Sequence, residues 1–309
     1  MELRQLEQFV AVADLSSFTR AAERLHVVQS GVSASIQGLE QELGARLFDR
    51  GARGARLTPA GEALLPAARA TLDAARTARD VVARISTGIA GEVSLGTLSS
   101  IAVIDLPALL ARLRQDYPGI RVRLRTSPTG TGGLIDALNR GDLDAALIAN
   151  DGSAIPGLRL THLLTGPIVA LLPSDHPLAG EDGVTLGELA DEPFIDFPVG
   201  FGNRRTVDDA FSRLGLKRIV AVEVSDVTIA PSYVRHGLGV SLVPGLPGVV
   251  PGTDGRNPDI VAIPVRPELP WALSIGVSAA RTTSAAAQAL LDLIPLFTTV
   301  PPTSPAAAT

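Results

Sequence analysis

The sequence predicts an α/β protein in three parts: a small helical module with a hairpin, one long helix, and a larger doubly wound region of strands and helices. Three observations predict it. Apolar residues keep helical spacing through residues 6–43 with two short breaks. From Leu65 to Val82 they recur alternately every three and four positions, interrupted once by Arg79. From Gly91 onward, short β-rich runs alternate with helical stretches.

Composition bounds the functions open to such a chain. With 309 residues and 46% hydrophobic content there is room for two or three domains with their own cores. Cysteine is absent, which excludes disulfides and thiolate zinc sites, and the four histidines (26, 162, 176 and 236) are too scattered to suggest a metal cluster. No cofactor is expected. The opening MELRQLEQFV carries charges in its first turn and lacks the long apolar core of a secretory signal. The longest apolar stretch, GLGVSLVPGLPGVV, holds two prolines and four glycines, which argues against a membrane helix. A cytoplasmic chain with no membrane partner is the expectation. Net charge is −5, divided as +1 over residues 1–90 and −6 over the rest. An acidic protein is no general polyanion binder, so any contact with nucleic acid must rest on local groups in the amino-terminal segment.

The first helix is marked by Leu6, Phe9, Val10 and Ala13, and Asp14-Leu15-Ser16-Ser17 breaks it with a serine cap for the next. That second helix, SFTRAAERL, turns Phe18, Ala21, Ala22 and Leu25 inward, two alanines standing where a crossing helix approaches closely. After the short link His26 to Val28 comes VQSGVSASIQGLE. Val32, Ile36, Leu39 and the following Leu43 form its apolar stripe, while Ser30, Ser33, Ala34 and Gln37 face the other way without one lysine or arginine. Alone, such a face also suits a packed helix in a small bundle. Two short helices joined by so tight a link, the second with a small polar outer face, form a helix-turn-helix unit. Its second helix enters the major groove, where small side chains approach phosphates and base edges and Gln can pair with adenine.

Arg46 to Phe48 and Ala55 to Thr58 can then pair as short strands around a glycine-rich tip presenting Arg50, Arg53 and Arg56. An arginine tip beside a groove helix suits phosphate or the minor groove. Thr58-Pro59 caps the long helix, with Glu62 in its first turn and Pro66 placed to bend it. Along that helix Leu65, Ala68, Leu72, Ala75, Arg79 and Val82 read as a seam pairing two chains.

The run LxxFxxVADLSSFTRAAERLHVVQSGVSASIQGLEQELGARLFDR, followed by LTPAGEALLP, resembles the LysR-type bacterial transcriptional regulators over the whole amino-terminal module. The remainder, to about residue 298, resembles that family's effector domain. The resemblance implies a winged helix-turn-helix over residues 1–58, a linker and dimerisation helix over 59–90, and a two-lobed, periplasmic-binding-protein-like effector domain over 91–298. Lobe I would comprise 91–163 and 265–298 and lobe II 164–264, with a disordered tail over 299–309. It further implies DNA contact by Ser17, Thr19, Gln29, Ser30, Ser33, Ala34, Ser35, Gln37, Arg50, Arg53 and Arg56, and dimerisation through Leu65, Ala68, Leu72, Ala75 and Val82. Val28 stands where the family often has Ser or Thr, and Ala34 where it often has Arg. Base reading thereby depends more on Gln29, Ser30, Ser33 and Ser35.

In the larger region EVSLGTL, IRVRLRT, DLDAALIA, PIVALLP, FIDF, IVAVEV, GVSLVP, DIVAIPV and WALSIGV read as strands. Helical stretches at 105–116, 133–140, 203–214, 226–236 and 283–296 separate them, an order that implies doubly wound parallel sheets. By resemblance, strands near 162–166 and 262–266 cross between the lobes, and a ligand lies in the cleft. Strand ends that meet helix starts supply the cleft chemistry. Ser99 and Ser100 after the first strand, and Thr126 to Thr129 after the second, offer hydroxyls and free amides to an anion such as a carboxylate. Phe201, Asn203, Val227 and Thr228 open helices in the other lobe and match positions that line the family's effector cleft. Each hydroxyl could equally be a simple helix cap.

No catalytic residue is expected. GTGG at 130–133 and GLG at 237–239 lack the third glycine of a dinucleotide loop, and neither a P-loop nor a G-x-S-x-G elbow occurs. A solute-binding or enzyme-like protein without DNA binding is the alternative, and it would need neither groove helix nor wing. The expectation is a ligand-responsive transcription factor on an inverted-repeat operator, acting as a homodimer or homotetramer with a small organic acid as effector and RNA polymerase as a partner.

Overall fold

The computed structural model describes residues 1–51, 54–87, 89–98, 103–246 and 257–298, which fall into two units, Met1–Gly88 and Ile89–Thr309. The expected tail at 299–309 lies outside the described residues.

In the first unit α1 (Leu3–Leu15), α2 (Phe18–Arg24) and α3 (Gln29–Leu43) are followed by β1 (Phe48–Gly51), β2 (Gly54–Leu57) and α4 (Pro59–Thr87). Ser16 ends α1 in the left-handed conformation (φ 48°), and Ser17 starts α2 by accepting the Arg20 amide at 3.3 Å. His26 takes a second left-handed turn (φ 53°) in the link to α3. Leu6, Phe9, Val12, Ala21, Ala22, Val32, Ile36 and Leu39 are buried together in one core. The expected stripe stops there, because Leu43 in the last turn of α3 is 42% exposed. Phe48 closes the core, its ring 5.4 Å from Phe9 and 5.6 Å from Phe18.

The hairpin begins later than expected. Glu40 Oε1 accepts the Leu47 amide at 2.7 Å and the Phe48 amide at 3.3 Å, so Arg46 and Leu47 belong to the turn rather than to a strand. Phe48 pairs with Leu57 and Asp49 with Arg56. The Ala55 amide donates to the Ser16 carbonyl at 3.0 Å, which fixes the hairpin against the turn between α1 and α2. At the start of α4, Thr58 Oγ1 accepts the Gly61 amide (3.1 Å) and donates to the Arg46 carbonyl (2.6 Å).

The second unit runs β3 (Ala90–Gly96), α5 (Leu106–Asp116), β4 (Gly119–Arg125), α6 (Gly130–Arg140), β5 (Ala145–Asn150) and β6 (Leu158–Pro173). It continues through β7 (Val184–Thr185), α7 (Leu186–Leu189), β8 (Pro193–Asp196), α8 (Gly202–Arg213), β9 (Ile219–Glu223) and α9 (Ala230–Arg235). It ends with β10 (Ser241–Pro244), β11 (Ile260–Ser278), α10 (Ala285–Leu293) and a 3-10 turn at Ile294–Phe297. The main sheet has the order β10-β6-β11-β5-β3-β4, and β8 and β9 form a second, parallel pair.

The expected all-parallel arrangement is corrected by β11. It returns antiparallel between β5 and β6, so the sheet is mixed, with only β3, β4 and β5 paired in parallel on that path. The separately read DIVAIPV and WALSIGV are both parts of β11, and PIVALLP is the end of β6. Prolines 167, 264, 267 and 270 look like breaks in the sequence. Here only Pro267 falls in the register shift between Pro264 and Leu269, while Pro264 stands opposite Val169 and Pro270 opposite Pro167 in the ladder. These two long strands run through both lobes: β6 pairs with β10 in one, and β11 pairs with β5 in the other.

Candidate functional site

Val32, Ile36 and Leu39 anchor α3 with no exposure, which turns its other face outward. Gln29, Ser30, Ala34 and Gln37 are exposed there, and Ser33 and Ser35 are half-buried. Gln29 Nε2 donates to Ser33 Oγ at 3.2 Å, which presents the glutamine amide along the helix face. Val28, 71% exposed, gives the helix start no side-chain cap, so its first-turn dipole is unscreened by a capping oxygen. Thr19 is exposed on α2, and Ser17 is half-buried in its capping role. On the hairpin Arg56 is exposed; Arg53 and the side chain of Arg50 lie outside the described residues.

In the second unit a cleft opens at the carboxyl ends of the strands. Thr97 and Leu98 follow β3, Ala149 is the last residue but one of β5, Phe197 follows β8, Ser225 and Val227 follow β9, and Pro244 ends β10; all line it. Gly130 and Thr131 open α6, and Gly202 and Asn203 open α8, on facing sides, with Ser127 and Phe201 just before them. Trp271 of β11 also lines it. Neither α6 nor α8 has a side-chain cap, so two helix starts converge on one cavity. Its lining among the described residues contains hydroxyls, one amide and aromatic walls, but no charged side chain.

Behind the walls lies a buried charge network. Asp196 Oδ1 accepts the Phe197 amide at 2.8 Å, and Arg204 donates to the Phe197 carbonyl at 2.9 Å, so the residue beside the cavity is held from both sides. Arg218, 5% exposed at its side chain, donates to Asp196 and reaches Asp208 at 2.7 Å. Beyond β5, the Asp151 carboxyl is held below its ordinary range, chiefly by the Ser153 hydroxyl, with Arg205 adding to the effect.

Residues 3–62 match the bacterial regulatory helix-turn-helix protein, lysR family, and residues 86–295 match the LysR substrate binding domain. The chain belongs to the LysR family. The HTH-type transcriptional regulator YnfL of Escherichia coli is 39% identical over 248 residues, covering 79% of this chain and 82% of that one. YybE of Bacillus subtilis is 32% identical over 249 residues, covering 81% and 84%. Among solved structures, a full-length OxyR variant from Pseudomonas aeruginosa covers 100% of this chain and 99% of its own, at 27% identity and a TM-score of 0.68. As a LysR regulator the chain is a DNA-binding transcription factor with a small-molecule effector domain, working as an oligomer rather than as an enzyme. No helix among the described residues is long and apolar enough to cross a membrane.

Of the effector residues expected from the sequence, Phe201, Asn203 and Val227 line the LysR cleft, and Ser99 and Ser100 lie outside the described residues. Thr126 and Thr129 are exposed and do not line it; the same turn offers Ser127 and Thr131 instead. Thr228 spends its hydroxyl on Asp226 Oδ1 at 2.7 Å. Thr97, Ala149, Phe197, Ser225, Pro244 and Trp271 were missed, although all but Trp271 lie at or just past strand carboxyl ends.

The expected seam on α4 needs a correction. Ala68 is 1% and Leu72 7% exposed within one chain, because both pack into the helix-turn-helix core with Leu65 against them, while Ala75 is half-buried. The side chain of Val82 lies outside the described residues. A different row, Ala63, Ala67, Ala70, Ala74 and Ala78, is exposed along the helix.

Proposed function

We propose that α3 and the hairpin read an inverted-repeat operator, and that a small organic acid in the cleft sets how the oligomer occupies it. Gln29, Ser30, Ser33, Ser35 and Gln37 would meet base edges and phosphates from α3, with Ser17 and Thr19 on the flanking backbone and Arg50, Arg53 and Arg56 on phosphate or minor groove. The observation that carries the effector assignment is the convergence of the uncapped starts of α6 and α8 on one cavity walled by Phe197, Phe201, Val227 and Trp271. Helix starts attract an anion, aromatic walls favour an organic body, and an uncharged lining suits a ligand of low total charge.

Two-fold pairing through the exposed alanine row of α4 would supply the second half-site. The division at residues 58/59 and 90/91 belongs to the same proposal, as does the cytoplasm as compartment, since the chromosome lies there. Contact with RNA polymerase completes it, tested by supershift of the operator complex with purified polymerase. The central experiment is a thermal-shift screen of organic acids on the full chain, followed by operator titrations with and without any acid that stabilises it. An acid that raises the melting temperature and alters operator affinity or the footprint supports the proposal; stabilisation by neutral compounds only refutes it.

A further inference from the structure

Two residues that line the cleft each carry a buried polar atom with no partner among the described residues: Asn203 Oδ1 and Thr131 Oγ1. Both residues are more than nine-tenths buried, at 8% and 5% exposure, and both line the cavity, one at each of the facing helix starts. Buried polar groups in folded proteins are nearly always paired, so two orphans in one cavity mark where a ligand's polar atoms belong.

The orientation of Asn203 is decided by its other end. Its Nδ2 donates to the Leu242 carbonyl at 2.7 Å, and a carbonyl can only accept. Oδ1 is therefore the half that remains, and it too can only accept. A carboxylate oxygen cannot satisfy it; the ligand must bring a donor. Thr131 can donate or accept, so it fits either a carboxylate oxygen or the oxygen of that same donor group. An ammonium would be a buried cation with no carboxylate in the lining, an expensive arrangement. A hydroxyl needs no counter-charge.

We propose that the effector is a hydroxy-carboxylic acid, and that Asn203 selects it by accepting a hydrogen bond from the hydroxyl. The assignment rests on the organic-acid reading of the cleft and adds a specificity to it. The carboxylate lies at the two helix starts and accepts from the Thr131 hydroxyl, the ligand's own hydroxyl lies on Asn203 Oδ1, and its apolar body lies against Phe197, Phe201 and Val227. A ligand without the hydroxyl leaves a buried acceptor unpaired, a loss of roughly ten- to a hundredfold in affinity.

The test uses the full chain and matched triplets: lactate, propionate and alanine; 2-hydroxyisovalerate, isovalerate and valine; mandelate, phenylacetate and phenylglycine. Thermal shift identifies a binding triplet and calorimetry measures its members on wild type, Asn203→Ala and Thr131→Val. The expected result is a hydroxy acid at least about tenfold tighter than its unsubstituted partner, with that ratio falling to near one in Asn203→Ala. Thr131→Val, which keeps side-chain volume, should weaken both acids while preserving their ratio. If Asn203→Ala does not fold, the wild-type ratio decides alone. Equal binding of the two acids overturns the hydroxyl assignment and leaves the organic-acid reading standing. Tightest binding by the amino acid also overturns it, in favour of an ammonium donor. Failure of every acid to bind overturns both.

Discussion

The Gly132 amide on α6 donates to the Gly200 carbonyl just before α8 at 2.9 Å, a backbone bond between the two lobes beside the cleft. The surrounding contacts leave no room for side chains. A Cβ at Gly202 would lie 1.8 Å from the Ala149 carbonyl oxygen, and one at Gly130 (φ 55°) would lie 2.7 Å from the Phe201 ring. The lobes meet through backbone because glycines allow it, and both helix starts line the cleft beside that contact.

Gly202→Ala should therefore disfavour the closed arrangement. The added methyl clashes with backbone rather than with a flexible side chain, so the lobes must part for it to fit. If closed molecules become a tenth as frequent, apparent effector affinity falls about tenfold. Calorimetry with any acid found by screening measures this, and small-angle scattering of the effector unit should show a larger radius. Unchanged affinity would mean that closure is not coupled to binding.

On the DNA side, helix and hairpin should give different signatures. Gln29→Ala should cost roughly 1 to 3 kcal/mol at the cognate operator and relax the preference for one base pair. Arg56→Ala, on the exposed edge of the hairpin, should weaken binding to all sequences alike and flatten its salt dependence. Band-shift titrations at two salt concentrations separate the two, and a variant pair with identical behaviour would undo the division of labour.

Along α4 the alanine row and the leucine face have opposite expected phenotypes. Ala70→Glu places a charge on the exposed row and should dissociate the oligomer while leaving the melting of the amino-terminal module unchanged. Leu72→Ala opens a cavity in that module's own core and should cost about 2 to 5 kcal/mol without lowering the mass in sedimentation. Dissociation by the second variant and not the first would return the interface to the leucine face.

That contrast also marks the limit of periodicity. Spacing in the sequence identifies Leu65, Ala68 and Leu72 as one stripe, but says nothing of what the stripe covers, and here α1 covers it. The helix-turn-helix was legible because Phe9, Ala21, Ile36 and their neighbours form its core through short-range helical patterns. Asn203 and Phe201 were legible as a helix start. Thr131 was not, since its importance comes from facing Gly202 across the lobes, a proximity only the folded sheet creates. The late start of the hairpin depended on Glu40 reaching forward to Leu47 and Phe48, a side-chain choice with no period.

Asp14 supplies the last prediction. Its side chain is 3% exposed, at the end of α1, and Arg69 from α4 donates to Oδ1 at 2.6 Å while Arg24 from α2 approaches Oδ2 at 3.5 Å. One carboxylate thus ties the long helix to both helices of the unit that presents α3. Arg24 is 44% exposed and well solvated, so Arg69 carries most of the compensation. Arg69→Ala leaves a buried carboxylate with one distant, exposed partner among the described residues and should destabilise the module by about 1 to 3 kcal/mol, below the full cost of an orphaned buried charge because both arginines are partly solvated. Replacing both groups, as Asp14→Asn with Arg69→Ala, should cost less than the single change, since no charge is then stranded. Urea titrations of the two variants and of Asp14→Asn complete the cycle; additive losses would mean that Asp14 and Arg69 do not act as a pair.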